Sequence, residues 1–474
     1  MGQEIRQTQF DGAAFKEYQH RLQRETTLLQ SMLENGRFSD VGEIGGYELE
    51  AWLVDHNYFP SPTNQTFLAR LNHPLVVPEL SRFNVEINSQ PLALRGGALS
   101  GMATELNQTW RHCQDTAHEM DSALIMTGIL PTVRQTDLCL ANMSEFKRYR
   151  ALNEQILARR AGRPLHVCID GREKLDLRHP DVMLEAATTS FQIHLQTAQR
   201  DAVRYFNASL LAAAPLIAAS GNSPFLFDAD LWDETRIPLF EQSVDIDGQD
   251  GDHESRVSFG RGYARESLFE CFADNLENYP VLLPMLMESP AEQFAHLRLH
   301  NGTIWRWVRP LIGFDADGTP HLRIEQRVLP AGPTIIDMMA NAALYFGLAR
   351  FLAALHEPPE ASLTFEQAKG NFYAAARDGL QAKLTWLDGG VVDAKTLLLE
   401  EILPMARHGL KTLDIDATDI SHYLDIMETR IRTGQTGAVW QRTYRKRHRT
   451  DSLHLVAAYL EKQRSGAPVH EWEL

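Results

Sequence analysis

Four short segments of this 474-residue chain alternate strictly between apolar and ionic or amide side chains, and that pattern constrains the fold more than any other feature. Successive side chains of a strand point to opposite faces, so residues two apart share a face. In 46–54, Tyr47, Leu49, Ala51 and Leu53 oppose Glu48 and Glu50. In 83–88, Val85 and Ile87 oppose Asn84, Glu86 and Asn88. In 189–196, Phe191, Ile193 and Leu195 oppose Gln192, His194 and Gln196. In 321–328, Leu322, Ile324 and Val328 oppose Arg323, Glu325 and Arg327. The ordinary meaning of such alternation is an antiparallel sheet with one solvated face. Solvated faces draw on Thr and Lys, however, and Glu and Asn are poor strand formers. Carboxylates, imidazole and guanidinium groups are instead ligands for hard cations and phosphate. The polar faces therefore read either as solvent faces or as one shared active-site face.

Helical patterns surround these strands. Phe15, Tyr18, Leu22, Leu29 and Met32 recur at helical spacing behind Asp11, a plausible cap. Ser100 reads as the cap of a long amphipathic helix carrying Met102, Leu106, Trp110, Cys113, Ala117 and Met120. A strand near Ile129–Val133, a charged helix near 145–161 and a buried helix over 201–219 follow. The polar run Asp245 to Gly262 predicts a long loop, and strand signals at 303–314 and 321–328 flank a turn at Asp315–Gly318. From Thr334 onward the chain reads as helical, with breaks near Pro358, Gly389 and Gly434. The class expected is α+β, with antiparallel strands and a helical C-terminal part.

Length favours two domains, or one large domain with an appendage. A net charge of −16 disfavours long-range attraction to nucleic acid or anionic membrane. Four scattered cysteines with no C-x-x-C pair argue against a disulfide framework and suit a reducing compartment. Met1–Gln9 lacks the apolar core of a signal peptide, and the most lipid-like run, Ala208–Ser220, is too short to span a bilayer. A cytoplasmic location is expected. The basic run Arg442–Arg449 reads as a solvated face or an intramolecular partner for acidic surface in preference to a nucleic-acid contact. Trp110, Trp305 and Trp307 read as packing residues, with the pair near Arg309 also placed to border a nucleotide.

No P-loop, dinucleotide fingerprint, nucleophile elbow or zincin helix occurs. Divalent cations held by several carboxylates can neutralise a triphosphate without any Gly-rich loop. Gly46-Tyr-Glu48-Leu-Glu50, Glu79 seven residues before Glu86, Gln192-Ile-His194, Ser220–Phe225, Trp305–Pro310 and Ile324-Glu325-Gln-Arg327 together resemble, in order, the motifs of the glutamate–cysteine ligase family. The nearest group is its family 2, which includes carboxylate–amine ligases. The third strand departs from the His-x-His of many bacterial members by reading Gln-x-His.

That resemblance implies a glutamine-synthetase-like fold: a curved, mostly antiparallel sheet funnel flanked by helices. It implies a catalytic domain over residues 1–356 and a helical extension over 357–474 packed on it. It further implies ATP and Mg²⁺ (or Mn²⁺), and an amide bond between a carboxylate, glutamate's by analogy, and an amine such as cysteine, formed through an acyl phosphate. Glu48, Glu50, Glu79, Glu86 and Glu325 would hold the cations, with Gln192 or His194 completing the set. Gln192, His194 and Arg323 would face the nucleotide, Arg327 the transferred phosphoryl group, and Arg309 a substrate carboxylate or phosphate. Small-molecule amino acid and amine partners are implied, without nucleic acid or membrane, and a homodimer is compatible. The alternatives on the same fold are a non-catalytic nucleotide or amino-acid sensor and a phosphotransferase.

Overall fold

A computed structural model describes residues 8–246 and 255–474. Most of the Met1–Gln9 run and the middle of the Asp245–Gly262 loop lie outside the described residues. The central sheet has eight strands: β1 (Ile44–Val54), β2 (Val76–Pro78), β3 (Asn84–Asn88), β4 (Leu92–Ala93), β5 (Ala123–Ile125), β6 (Phe191–Thr197), β7 (Val308–Phe314) and β8 (Pro320–Gln326). Their order is β7-β8-β6-β1-β3-β2, with β4 and β5 on the two ends of β1, and every pairing is antiparallel. The sheet curls into a half-barrel, the curved, mostly antiparallel sheet expected. Pro310 sits in β7, the edge strand, where its missing N–H breaks no ladder on the outer side.

One face of the sheet is apolar. Leu49, Ala51, Val85, Ile87, Phe191, Ile193 and Ile324 are all fully buried. Behind the sheet run α5 (Ala202–Ser220) and α9 (Ile335–Ala353), labelled in sequence with α1 (Gly12–Glu34), α2 (Asn64–Leu71), α3 (Ala98–His118), α4 (Lys147–Arg159), α6 (Arg236–Ser243), α7 (Phe269–Asn278) and α8 (Ala295–Asn301). The segments Gln199–Ser220 and Ile335–Ala353 are long and apolar enough to cross a membrane, but 89% and 83% of their most apolar windows are buried inside the fold. Their apolarity is accounted for by that core position.

The C-terminal helices pack directly on α9. Helix Leu403–Thr412 approaches so closely that a Cβ at Gly409 would lie 1.8 Å from the Gly347 carbonyl oxygen. Arg430 donates to Asp337 at 2.8 Å and to Asn341 at 2.6 Å, all three buried, and the Val469 N–H donates to the same Asp337 carboxylate at 3.0 Å. In the basic run, Arg442 is buried and paired with Asp230 and Asp233, an intramolecular partnership with acidic residues.

Three local expectations are corrected. Helix α3 starts at Ala98, not at Ser100; Ser100 lies in its first turn, where its N–H is capped by Asp419 at 2.9 Å. No strand forms at 129–133, where Pro131 interrupts any ladder, and the strand is instead Ala123–Ile125. The 303–314 segment splits, because Trp305–Arg306 pairs in parallel with Val257–Ser258 and only Val308–Phe314 joins the main sheet.

Candidate active site

The registers bring the four polar faces into ranks on one side of the sheet. Arg309 lies opposite Glu325, and Glu325 opposite His194. In the next rank Gln192 lies opposite Glu48, and Glu48 opposite Asn88. Beyond it Glu50 lies opposite Glu86. Arg327 follows β8 by one residue and extends the middle rank, donating from Nη1 to the Gln192 side-chain oxygen at 2.6 Å and to Glu325 at 3.1 Å. Glu79 comes from the turn after β2, with the Leu80 N–H donating to its carboxylate at 3.0 Å. A cavity of about 290 Å³ is lined by Glu48, Glu50, Glu79, Glu86, Gln192, Arg309, Arg323, Glu325 and Arg327. His194 does not line the cavity but is buried against two residues that do, with Nε2 at 3.3 Å from Glu48 and 3.9 Å from Glu325. All ten residues singled out from the sequence thus meet. A separate hollow outside the sheet, lined by Phe15, Arg159, Arg261 and Glu277, holds none of them.

Charge is distributed unevenly along this face. Arg309 grips Glu325 in a fork, at 2.8 and 3.0 Å. Burial alone would raise the Glu325 carboxyl, but Arg309, Arg327 and His194 outweigh it and hold the group at about 2. Glu48 is likewise held well below its ordinary range, the attraction of His194 overcoming burial. The other carboxylates go the opposite way. Burial, reinforced by Glu86 and offset in part by Arg327, pushes Glu50 up to about 7. Burial and the charge of Glu50 push Glu79 to about 7, and burial with the charges of Glu48 and Glu79 raises Glu86 well above its ordinary value. Too many negative charges share this end for all to ionise without a compensating cation.

The residues fit a divalent cation. Ligand atoms of Glu48, His194 and Glu325 lie within 4.8 Å of one another. The Nδ1 of His194 is buried without a hydrogen-bond partner and its Nε2 has only the 3.3 Å approach to Glu48, an arrangement costly in a protein interior unless a ligand completes it. Gln192 differs: its amide nitrogen donates to Glu50 at 2.9 Å and its oxygen accepts from Arg327, so it bridges the two halves of the site.

Four further ionisable residues line the cavity without a signal in the sequence. Glu185, in the turn Val182–Ala187, is pushed to about 8 by burial and by Glu50. Arg148 and Tyr149 come from α4, and Arg298 from α8. None lies in an alternating segment, and helical spacing alone gave no signal for them.

The half-barrel sheet turns carboxylates, an imidazole and guanidiniums inward, a donor set of the class that holds hard cations and phosphate. The comparisons with known proteins narrow the class. The profile of glutamate-cysteine ligase family 2 matches residues 44–458, and the chain belongs to that family. Among solved structures it is similar to a glutamate–cysteine ligase from Francisella tularensis in complex with AMP, at 14% identity and a TM-score of 0.59, covering 90% of each chain. It is also similar to a bifunctional glutathione synthetase from Pasteurella multocida, at 12% identity and a TM-score of 0.49, covering 93% of this chain and 54% of that one. No curated protein sequence matches the chain.

Proposed function

We propose that the chain is an ATP- and Mg²⁺-dependent ligase that activates a carboxylate, glutamate's, as an acyl phosphate and transfers the acyl group to an amine such as cysteine. The observation that carries this reading is the convergence of Glu48, Glu50, Glu79, Glu86, His194 and Glu325 with Arg309 and Arg327 at one cavity. A carboxylate is a poor electrophile, because its charge repels an amine and oxide is a poor leaving group. In the proposed reaction a carboxylate oxygen attacks the γ-phosphorus of ATP, and the bond from that phosphorus to the ADP oxygen breaks. The amine nitrogen then attacks the acyl carbon, loses its proton, and inorganic phosphate departs with the bonding pair.

Glu48, His194 and Glu325, with Glu50, Glu79 and Glu86, would hold Mg²⁺ or Mn²⁺, which supplies charge neutralisation to the phosphate oxygens. Arg327 is anchored through Nη1, and its Nε has no partner in the structure, so it is set to meet the transferred phosphoryl group. Arg309 stands in the adjacent rank, opposite Glu325, for substrate carboxylate or phosphate, and Gln192, His194 and Arg323 would face the nucleotide. Helices beyond residue 356 serve as a brace on the catalytic part, and the cytoplasm, where ATP is supplied, is the setting we assign.

Oxygen-18 in the substrate carboxylate tests the mechanism. One labelled oxygen should appear in inorganic phosphate for each amide formed, with ADP as co-product. Formation of AMP and pyrophosphate, or label absent from phosphate, would replace this reading with adenylation.

A further inference from the structure

Strand β8 ends at Gln326, and Arg327 is the next residue. Its N–H still donates to the Trp307 carbonyl at 2.9 Å. The carbonyls of Arg327 and Val328 lie past the last residue paired in the sheet, and a buried side chain takes both. Arg236, at the start of α6, donates from Nη2 to the Val328 carbonyl at 2.6 Å, and from Nη1 and Nη2 to the Arg327 carbonyl at 3.3 Å. The same guanidinium rests 5.5 Å over the Trp307 ring. Behind it stands Glu234, fully buried, whose Oε1 accepts from the Arg236 Nε at 3.1 Å and from the Ser223 hydroxyl at 2.7 Å. Its Oε2 accepts from the Asn222 N–H at 2.9 Å. The Asn222 side chain in turn donates to the Tyr459 hydroxyl at 2.8 Å and accepts from Gln441 at 2.9 Å, on the helices Ser452–Ser465 and Gly437–His448. A chain of buried hydrogen bonds thus runs from the C-terminal helices, through the Ser220–Phe225 segment, to the backbone of Arg327.

A buried ion pair adds little stability over an apolar pair of the same volume. What Glu234 and Arg236 add is direction, because a planar fork can hold two successive carbonyls in one place. The Arg327 side chain is anchored at its tip through Nη1, so its reach depends on where its own main chain is held. We infer that Glu234 and Arg236 are positioning residues for Arg327, fixing the main chain beneath its side chain so that the guanidinium is aimed at the transferred phosphoryl group. The inference rests on the ligase reading for the identity of that group. Neither residue lines the cavity, so both act through Arg327 and not on substrate. Misplacing a catalytic group by about 1 Å can cost about a hundredfold in rate.

The test is a double-mutant cycle on the full chain with ATP, Mg²⁺, glutamate and cysteine, reading ADP release and product masses, with a thermal melt of each variant. Arg236→Lys keeps the buried charge but cannot hold two carbonyls. It should lower kcat about tenfold or more and leave KM for ATP within about twofold. In the Arg327→Lys background, where the guanidinium to be aimed is gone, the same change should lower kcat by less than about twofold. Ser223→Ala removes one hydrogen bond from Glu234 and touches neither charge. It should lower kcat about threefold, again only where Arg327 is present, and it carries the test if Arg236→Lys does not fold. Equal losses in both backgrounds, or a loss confined to KM for ATP or to the melting temperature, would overturn the inference. ADP with a phosphorylated product and no amide would remove the ligase reading and leave the clamp standing if the losses remain coupled to Arg327. Amide formation with uncoupled losses would do the reverse, and a wild type that releases no ADP would overturn both.

Discussion

Replacing Glu50 by Gln should make the metal-free protein more stable at pH 8 and nearly unchanged in stability near pH 5. The Glu50 carboxyl is raised from 4.5 to about 7 in the folded chain. Between those values the folded state binds more protons than the unfolded state, so stability is greatest at low pH and falls as pH rises through this window. Above pH 7 the ionised side chain costs about 3 kcal/mol relative to the unfolded state. Gln removes that cost but loses an acceptor, since the Ser190 N–H at 2.7 Å and the Gln192 amide at 2.9 Å both donate to the carboxylate. One lost hydrogen bond offsets about 1 kcal/mol, leaving a net gain of about 2 kcal/mol at pH 8. Near pH 5 the carboxyl is already protonated in the fold, and the two terms roughly cancel. Urea unfolding followed by circular dichroism, with chelator present, measures this at both pH values. Added Mg²⁺ should stabilise wild type at pH 8 and the variant less, while the variant loses ligase turnover. A variant less stable than wild type at pH 8, or a difference that ignores pH, would sink the account of a charge-crowded acidic end.

Other outcomes follow from the same geometry. Arg327→Lys should lower turnover about a hundredfold or more with an unchanged melting temperature, because a point charge cannot reproduce the planar multi-donor contact; steady-state rates decide it. Gly409→Ala should destabilise by about 3 kcal/mol, since its Cβ would collide with the Gly347 carbonyl, and equilibrium unfolding reports the loss. Single Ala replacements of Cys113, Cys139, Cys168 and Cys271 should leave turnover within about twofold. Burial pushes the Cys113 thiol up to about 12, so no thiolate is available there; a folded cysteine variant without activity would point to thioester chemistry instead.

The centre of the fold was legible because it obeys a period of two. In β1, β3, β6 and β8 the apolar positions face the hydrocarbon core, and the ionic positions, mostly buried too, turn together toward the cavity. What the alternation could not supply was which strands pair, since that depends on contacts distant in sequence. Trp305–Arg306 looked continuous with β7 and instead pairs with Val257–Ser258. Glu79 sits in a turn and was reached only through its spacing in the family motif. Glu185 and Arg298 occupy a six-residue turn and a seven-residue helix, too short to carry a periodic signal, and only the tertiary fold turns them into the cavity. The Ser100 cap failed for a related reason: the carboxylate that meets its N–H, Asp419, lies 319 residues away in the chain.

The ranked registers also limit how a gene for this fold can vary. β1 has 11 residues and is paired on both sides, with Glu48 and Glu50 separated by Leu49 of the core. Gain or loss of one codon between Gly46 and Glu50 would exchange the two faces downstream of the change, driving a carboxylate into the hydrocarbon layer against α5 and α9 and turning a leucine into the cavity. Length changes compatible with activity are thus confined to connections outside the sheet. Diversification of the cavity must instead proceed by substitution in place, at wall positions such as Arg298 that lie off the central strands.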